Sequence, residues 1–257
     1  MPPSPAVPDQ PSPMTSLMLR TRDAVLLSIE TYLRPSLRGS GSAMKEISAR
    51  VAAGRLVAIR EAFEPAFAER MHRGLDACTA WRVYEGYEKH FHFHHHNLYE
   101  VSEYPPELAW CANVFDSAAT KAWATRLSGR ECVGPTVFSA SWYLPGDHSL
   151  PHDDAIENVN NRQVAFVWHL AKDWRPEWGG ALYWCPKATY LPPVFNTLLL
   201  FNVGCGTSHH FVTQVSPYAQ GKRLAINGWW TGPAATRKPE WSGPERIDAD
   251  DVSIKIY

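Results

Sequence analysis

Apolar residues recur at two different periods along this chain, and the change of period divides it. In the first half they fall three and four apart. Val25, Leu26, Ile29 and Leu33 predict a helix over Arg22–Leu33 that ends before Pro35. Met44–Ala53 predicts a short helix stopped by Gly54, and Phe67, Met71 and Leu75 share one face of a helix over Glu64–Ala80. Leu108–Leu127, anchored by Trp110, Val114, Ala118 and Trp123, predicts one long helix, and Leu56–Ile59 a first strand. After Gly134 the texture changes. Thr136–Tyr143 alternates with a period of two. Arg162–Ala171, Ala181–Trp184, Thr197–Asn202, Val212–Val215 and Arg223–Trp230 are short strand-like runs, separated by turn signals such as Pro145-Gly146, Gly179-Gly180 and Pro193. Short strands in series without intervening helices predict a sandwich or jelly roll.

The domain plan follows. Residues 1–43 read as a Pro-rich disordered tail and a leading helix, ending in the flexible Gly39-Ser40-Gly41-Ser42. Residues 44–257 read as one domain: helical support over 44–133, a jelly-roll core over 134–231, and a polar tail over 232–257 packed on the surface. The fold class is α+β, dominated by β. A chain of 257 residues, 45% of them hydrophobic, can bury a large single core. Lys plus Arg is 25 and Asp plus Glu is 26, a balance that gives no electrostatic case for nucleic acid or an anionic membrane. No apolar run is long enough to span a bilayer, and the N-terminus lacks the pattern of a signal peptide. Met14, Met18 and Met44 are alternative starts. The five cysteines (78, 111, 132, 185 and 205) are odd in number and form no Cys-x-x-Cys pair, so reduced thiols and a cytoplasmic location are expected.

The candidate chemistry gathers in Trp142-Tyr-Leu-Pro-Gly-Asp-His-Ser-Leu-Pro-His-Asp-Asp154. His152 and Asp154 are two apart, so in an extended segment they project to one face, while Asp153 points to the other. A second imidazole comes from Ser208-His209-His210-Phe211-Val212, as His209 or His210. Two His and one carboxylate with open positions form the facial triad of non-haem Fe(II) oxygenases. Arg223 lies in the strand-like run beyond. An inward-facing guanidinium is costly to bury unless an anion meets it, and its planar fork suits a carboxylate.

Together these stretches resemble the 2-oxoglutarate/Fe(II) dioxygenase superfamily, in its prolyl 4-hydroxylase-like branch. The resemblance spans about residues 134–231. It rests on the His152-Asp153-Asp154 segment, Trp174-Arg-Pro-Glu-Trp-Gly-Gly-Ala-Leu182, Thr197-Leu-Leu-Leu-Phe-Asn202, His209-His-Phe-Val212 and Arg223-Leu-Ala-Ile-Asn-Gly-Trp-Trp230. It implies a double-stranded β-helix with the metal at its mouth and His152, Asp154 and His210 as iron ligands. It also implies 2-oxoglutarate chelating the iron, with its far carboxylate on Arg223 and Tyr143, and ascorbate as a candidate reductant. Many prolyl hydroxylases carry Lys where Arg223 stands, and the helical N-terminal third matches no family motif. The implied reaction is hydroxylation of an unactivated C–H bond in a peptidyl residue or amino-acid-like substrate, releasing succinate and CO₂.

Three further residues are expected to face substrate. His90, His92, His94 and His96 would share one face of a strand, and His92 and His94 are assigned to the substrate mouth together with Tyr87. Asn227 shares its strand face with Arg223 and Ala225. His148 reads as a loop residue, His169 as a hydrogen-bonded core residue or a support for the ligands, and Trp229-Trp230 as sheet packing. The competing function is a cupin-like jelly-roll metalloprotein without oxygenase activity, or a sensor, which would leave Arg223 without an anion to meet. The expected partners are a small-molecule cosubstrate and a peptide, protein or amino-acid-like substrate, with neither nucleic acid nor membrane.

Overall fold

Helices open the chain because their apolar residues stack on a single stripe. The computed structural model describes residues 27–88, 91–155, 161–204 and 208–233. The prolines of the N-terminal tail, His90, Cys205 and the tail beyond residue 233 lie outside the described residues. The helices are α1 (Ile29–Tyr32), α2 (Ser42–Ala52), α3 (Pro65–Ala77), α4 (Pro106–Asp116) and α5 (Ala118–Ser128). α3 starts with Pro65 in its first turn, where the missing N–H is not needed, and buries Phe67, Ala68, Met71 and Leu75.

The single helix expected over Leu108–Leu127 is two. Ser117 breaks it in an extended conformation (φ −63°, ψ 149°). Its hydroxyl accepts from the Thr120 N–H at 3.1 Å and donates to the Val114 carbonyl at 2.9 Å, capping both ends. Apolar spacing runs through the break because both helices bury the same side.

The strands are β1 (Val57–Ile59), β2 (Arg82–Glu88), β3 (Phe91–Leu98), β4 (Val137–Tyr143), β5 (His148–His152), β6 (Asn161–His169), β7 (Leu182–Trp184), β8 (Thr189–Leu191), β9 (Thr197–Asn202), β10 (His210–Val212) and β11 (Arg223–Gly232). They form one curled antiparallel sheet in the order β1-β9-β6-β11-β4-β3-β5-β10-β7-β8, with β2 on the free edge of β3. β3 pairs with β4 through His96–Leu98 and with β5 through Phe93 and His94, so it links the two walls of a jelly roll.

Parity then separates two cores. The outer face of the large wall carries Phe138, Ala140, Phe166, Trp168, Leu198, Leu200, Leu224 and Ile226 against the helices. Phe63 meets Trp168 there with ring centroids 4.2 Å apart, and Phe115 meets Phe166 at 4.9 Å. Alternate residues face inward. Ala165, Leu199, Phe201, Leu182, Trp184 and Leu191 fill the space between the walls. Each buried Leu, Phe or Trp contributes about 1.5–3 kcal/mol, so the two cores fix which face of every strand looks into the roll.

The run expected as a strand over Val212–Val215 pairs regularly only from His210 to Val212. Beyond it the chain leaves the ladder to hold a turn: Val215 N–H donates to Asp147 O at 3.0 Å, and Gly146 N–H donates to Val215 O at 2.9 Å. Among the described residues no helix is long and apolar enough to cross a membrane.

Candidate metal centre

The antiparallel register of β5 and β10 sets His210 directly across from His152. β5 ends at His152, and the next residues carry the Asp154 carboxylate back toward both rings. The ligand atoms of His152, Asp154 and His210 all lie within 4.8 Å of one another. His152 Nε2 is 3.7 Å from one Asp154 oxygen, and His210 Nε2 is 3.8 Å from the other. Each ring is oriented through its other nitrogen. His152 Nδ1 donates to Leu150 O at 2.7 Å and His210 Nδ1 to Ser208 O at 2.8 Å. A proton held on Nδ1 leaves the Nε2 lone pair free for a metal.

Packing and charge reinforce this. Burial, aided by His210, lowers His152 to about 4, so the ring is neutral at physiological pH. Burial opposes ionising Asp154, but His210 and His152 outweigh it and hold the carboxyl below its ordinary range. Arg162 supports the same residue by donating to Asp154 O at 3.2 Å, while its guanidinium stacks 3.5 Å over Trp229. Trp184 and Phe201 wall the His210 ring, with centroids 6.1 and 5.1 Å away. Asp153, the rival carboxylate, instead accepts from Ser208 Oγ and Ala155 N–H. His209 precedes β10 and stands outside the cluster of ligand atoms.

Arg223 begins β11 on the same inner face. Its register with Tyr143, and that of Ala225 with Ser141 and His169, defines a second polar group inside the roll. The guanidinium is 2% exposed, and its Nε donates to Gly180 O at 2.8 Å. Its carbon lies 4.4 Å over the Tyr143 ring. Burial lowers Arg223 to about 10, which still leaves it charged at neutral pH. Among the described residues no carboxylate forms an ion pair with it. Gly179 and Gly180 both have positive φ (69° and 66°), which lets this turn press against Gln214 and Arg223. Asn227 faces inward as expected and donates from Nδ2 to Ser139 Oγ at 3.0 Å.

His92 and His94 stand elsewhere than expected. The register of Asn97 with Ser141 and of Phe93 with Ser149 turns the odd residues of β3 inward, so its even residues face out. His94 Nδ1 meets Asp147 at 2.7 Å, His96 Nδ1 meets the same carboxylate at 3.2 Å, and His92 Nδ1 meets His148 Nε2 at 3.0 Å. Periodicity identified the shared face, but only pairing with β4 and β5 decides which way it points. The inward imidazole is His95, 9% exposed, which stacks on Tyr143 at 4.8 Å with planes 4° apart. Alternation with the four even histidines was its only sequence signal. His169, entirely buried on β6, and Asp147, which accepts from two rings, are the other residues the sequence left unassigned to the site.

The sequence model of the 2OG-Fe(II) oxygenase superfamily matches residues 138–231, which contain all three ligands, Tyr143 and Arg223. Over this segment the chain is similar to the 2OG-Fe(II) oxygenase superfamily. A curated relative is prolyl 3-hydroxylase OGFOD1 of Mus musculus, 34% identical over 134 residues, which are 48% of this chain and 24% of the relative. The chain thus matches about a quarter of that relative's length. Solved structures of similar fold include a Pseudomonas putida prolyl-4-hydroxylase, at TM-score 0.54 and 20% identity over 72% of this chain and 98% of that one. Another is a Trichoplax adhaerens prolyl hydroxylase in complex with a hypoxia inducible factor oxygen degradation domain peptide fragment, at TM-score 0.55 and 16% identity over 74% and 90%. The curled sheet of this chain is therefore similar in fold to those two structures.

Superfamily members use Fe(II) and 2-oxoglutarate, and the residues present fit both. The donor set is two imidazoles with free Nε2 lone pairs and one ionised carboxylate, as a divalent iron with open positions requires. Iron bound there leaves a net charge near +1. The Arg223 guanidinium, which has no ion-paired carboxylate among the described residues, adds a second positive group in the same interior. A dianionic chelator matches both charges.

Proposed function

We propose that this chain is an Fe(II)- and 2-oxoglutarate-dependent dioxygenase that hydroxylates a prolyl residue within a peptide. One observation carries the proposal. Three metal-ligating side chains converge on one point, and a buried guanidinium that has no acidic partner among the described residues shares their interior. A cupin-like metalloprotein of other chemistry gives that guanidinium no anion to meet.

In the mechanism, His152, Asp154 and His210 hold the iron, and Arg223 with Tyr143 seats the far carboxylate of the cosubstrate. Bound iron supplies oxygen activation, coupled to decarboxylation of 2-oxoglutarate to succinate and CO₂ and to hydroxylation of a substrate C–H bond. Leu150 O and Ser208 O keep both ligand rings in the tautomer that binds metal. Trp184 and Phe201 exclude water from one side of His210. Gly180 O fixes the Arg223 fork.

The substrate class draws on the relatives' activities and on a row of rings beside His95. Tyr84, paired with His95 across the β2–β3 hairpin, stacks on Phe93 at 4.8 Å and on Tyr99 at 6.2 Å. Tyr84 and Tyr99 are exposed, and such rings suit an extended prolyl segment. Free thiols at Cys78, Cys111, Cys132 and Cys185 fit a cytoplasmic enzyme.

Anaerobic titration with Fe(II) and then 2-oxoglutarate tests the core of this reading through the charge-transfer absorption of the chelate. The band forms with the native chain, is abolished in His210→Ala and survives in His209→Ala. Arg223→Leu leaves iron affinity unchanged but weakens 2-oxoglutarate binding roughly 30-fold or more. Absence of the band from the native chain overturns the cosubstrate assignment. Absence of peptide-dependent succinate release across prolyl peptides overturns the substrate class.

A further inference from the structure

The even residues of β3 form an outer face that the iron centre does not use. His92, His94 and His96 stand on it, and His148 of β5 lies directly across from His94 in the register. Glu85 of β2 and Asp147 of the turn before β5 border them. The three β3 side chains are only 21%, 35% and 19% exposed, so their partners are set by the fold.

Two of these rings form a chain of contacts whose protons can be counted. His148 Nδ1 lies 3.1 Å from Gly146 O, which only accepts, so that nitrogen carries a proton. His92 Nε2 lies 3.1 Å from Glu85 Oε1, and an ionised carboxylate also only accepts, so that nitrogen carries a proton too. The remaining nitrogens, His92 Nδ1 and His148 Nε2, face each other 3.0 Å apart. A neutral imidazole has one N–H and one lone pair. With both protons committed outward, two lone pairs point at one another. A cation must stand between them, either one further proton or a metal ion. Each ring is already tied to an oxygen through its far nitrogen, as His152 and His210 are through Leu150 O and Ser208 O. Two zinc–nitrogen bonds of about 2.0–2.1 Å at a roughly tetrahedral angle span about 3.3 Å, so the pair opens only slightly to admit an ion.

We propose that His92 Nδ1 and His148 Nε2 clasp a divalent transition-metal ion on the outer face of β3, a second site separate from the iron centre. Imidazole ligands suit zinc, copper and nickel. The iron triad is the one cluster of three with ligand atoms within 4.8 Å among the described residues, so the clasp is a two-ligand site completed by water or by a ring that swings in. His94 is that ring. It stands across the ladder from His148, and its Nδ1 meets Asp147 at 2.7 Å, which leaves the Nε2 lone pair for an ion. A metal there ties β3 to β5, the strand that ends in His152.

The test is equilibrium dialysis of the chelator-stripped full chain against Zn(II), with metal analysis. The native chain is expected to hold two equivalents, one in the triad and one in the clasp. Asp154→Ala/His210→Ala is expected to hold one, and Zn(II) still raises its melting temperature. His148→Ala and His92→Ala are each expected to hold one, and with Fe(II) and 2-oxoglutarate they keep the charge-transfer band. His94→Ala weakens the second equivalent severalfold without abolishing it.

A native chain that holds one equivalent overturns the proposal, because a proton alone then bridges the two rings. A second equivalent that survives both His92→Ala and His148→Ala overturns it as well, because the ion is bound elsewhere. If those variants do not fold, the native chain still decides. In its ¹⁵N-histidine spectra, saturating Zn(II) must move the ring nitrogens of at least four histidines, two of the triad and two of the clasp. Movement of two rings alone overturns the proposal.

Discussion

Gly180 meets two demands that no other residue type meets together. Its φ of 66° lies in the left-handed region, and a Cβ there would sit 3.2 Å from Val215 Cγ2 and 3.4 Å from both Cγ and Nε of Arg223. Its carbonyl is also the acceptor that fixes the Arg223 fork. Gly180→Ala is therefore expected to cost about 1–2 kcal/mol of stability and to weaken 2-oxoglutarate binding by displacing the guanidinium. Thermal denaturation and cosubstrate titration check the two effects separately, and a variant that loses neither would show that the turn yields without moving Arg223. The Gly-Gly pair was visible in the sequence as a turn signal, but its contact with Arg223 was not, because that residue arrives on a strand from far along the chain. His95 shows the same limit. Alternation placed it opposite the even histidines, yet its stacking on Tyr143 depends on pairing that no local pattern contains.

Among the elements, the turn between β4 and β5 decides where β3 lies. Asp147 is 2% exposed and accepts from the Leu144 N–H at 2.8 Å, while its two oxygens meet the rings of His94 and His96. One carboxylate thus ties the turn to the outer face of β3 and thereby aims His95 inward. In Asp147→Asn an amide N–H₂ replaces one of the accepting oxygens and leaves a buried donor facing donors. The expected loss is about 2–4 kcal/mol, with faster amide exchange confined first to residues 91–98 and 144–149. Uniform acceleration over the whole chain would show that the turn is not a separate unit. Ser117→Ala, at the joint of α4 and α5, should cost about 1 kcal/mol and leave iron affinity unchanged. Apolar periodicity found the helices of the first half and the β-rich texture of the second. It ran α4 and α5 together, because a cap made by one hydroxyl leaves no trace in hydrophobic spacing. It also extended β10 to Val215, because apolar residues there serve a turn clamp instead of a ladder.

Over the whole molecule, the interior of the roll collects charge-averse imidazoles beside a fixed cation, and this gives the fold an acid limit. Burial lowers His95 to about 3, helped by Arg223, His94, His96 and His152 around it, and His169 is lowered by burial and Arg223. In the unfolded chain both rings titrate near 6.5. Above that pH neither state binds the proton, and the two rings add no pH dependence. As pH falls below about 6.5 the unfolded chain takes up protons that the folded chain refuses, so stability declines, down to about pH 3 for His95. The slope is about 1.4 kcal/mol per pH unit for each ring. Carboxylates such as Asp154, held below their ordinary range, add to the same decline at lower pH, so the native curve alone does not isolate the imidazoles. The difference between curves does. Denaturant unfolding of the cosubstrate-free chain at pH 7.5, 6 and 5 should show His169→Leu and His95→Phe each flattening the decline by about one proton. Each variant should gain stability relative to the native chain as pH falls from 7.5 to 5, because its unfolded state no longer takes up that ring's proton. Parallel curves for native and variant chains would mean that these rings take up protons inside the fold, and that the interior around Arg223 is more open to water than its burial indicates.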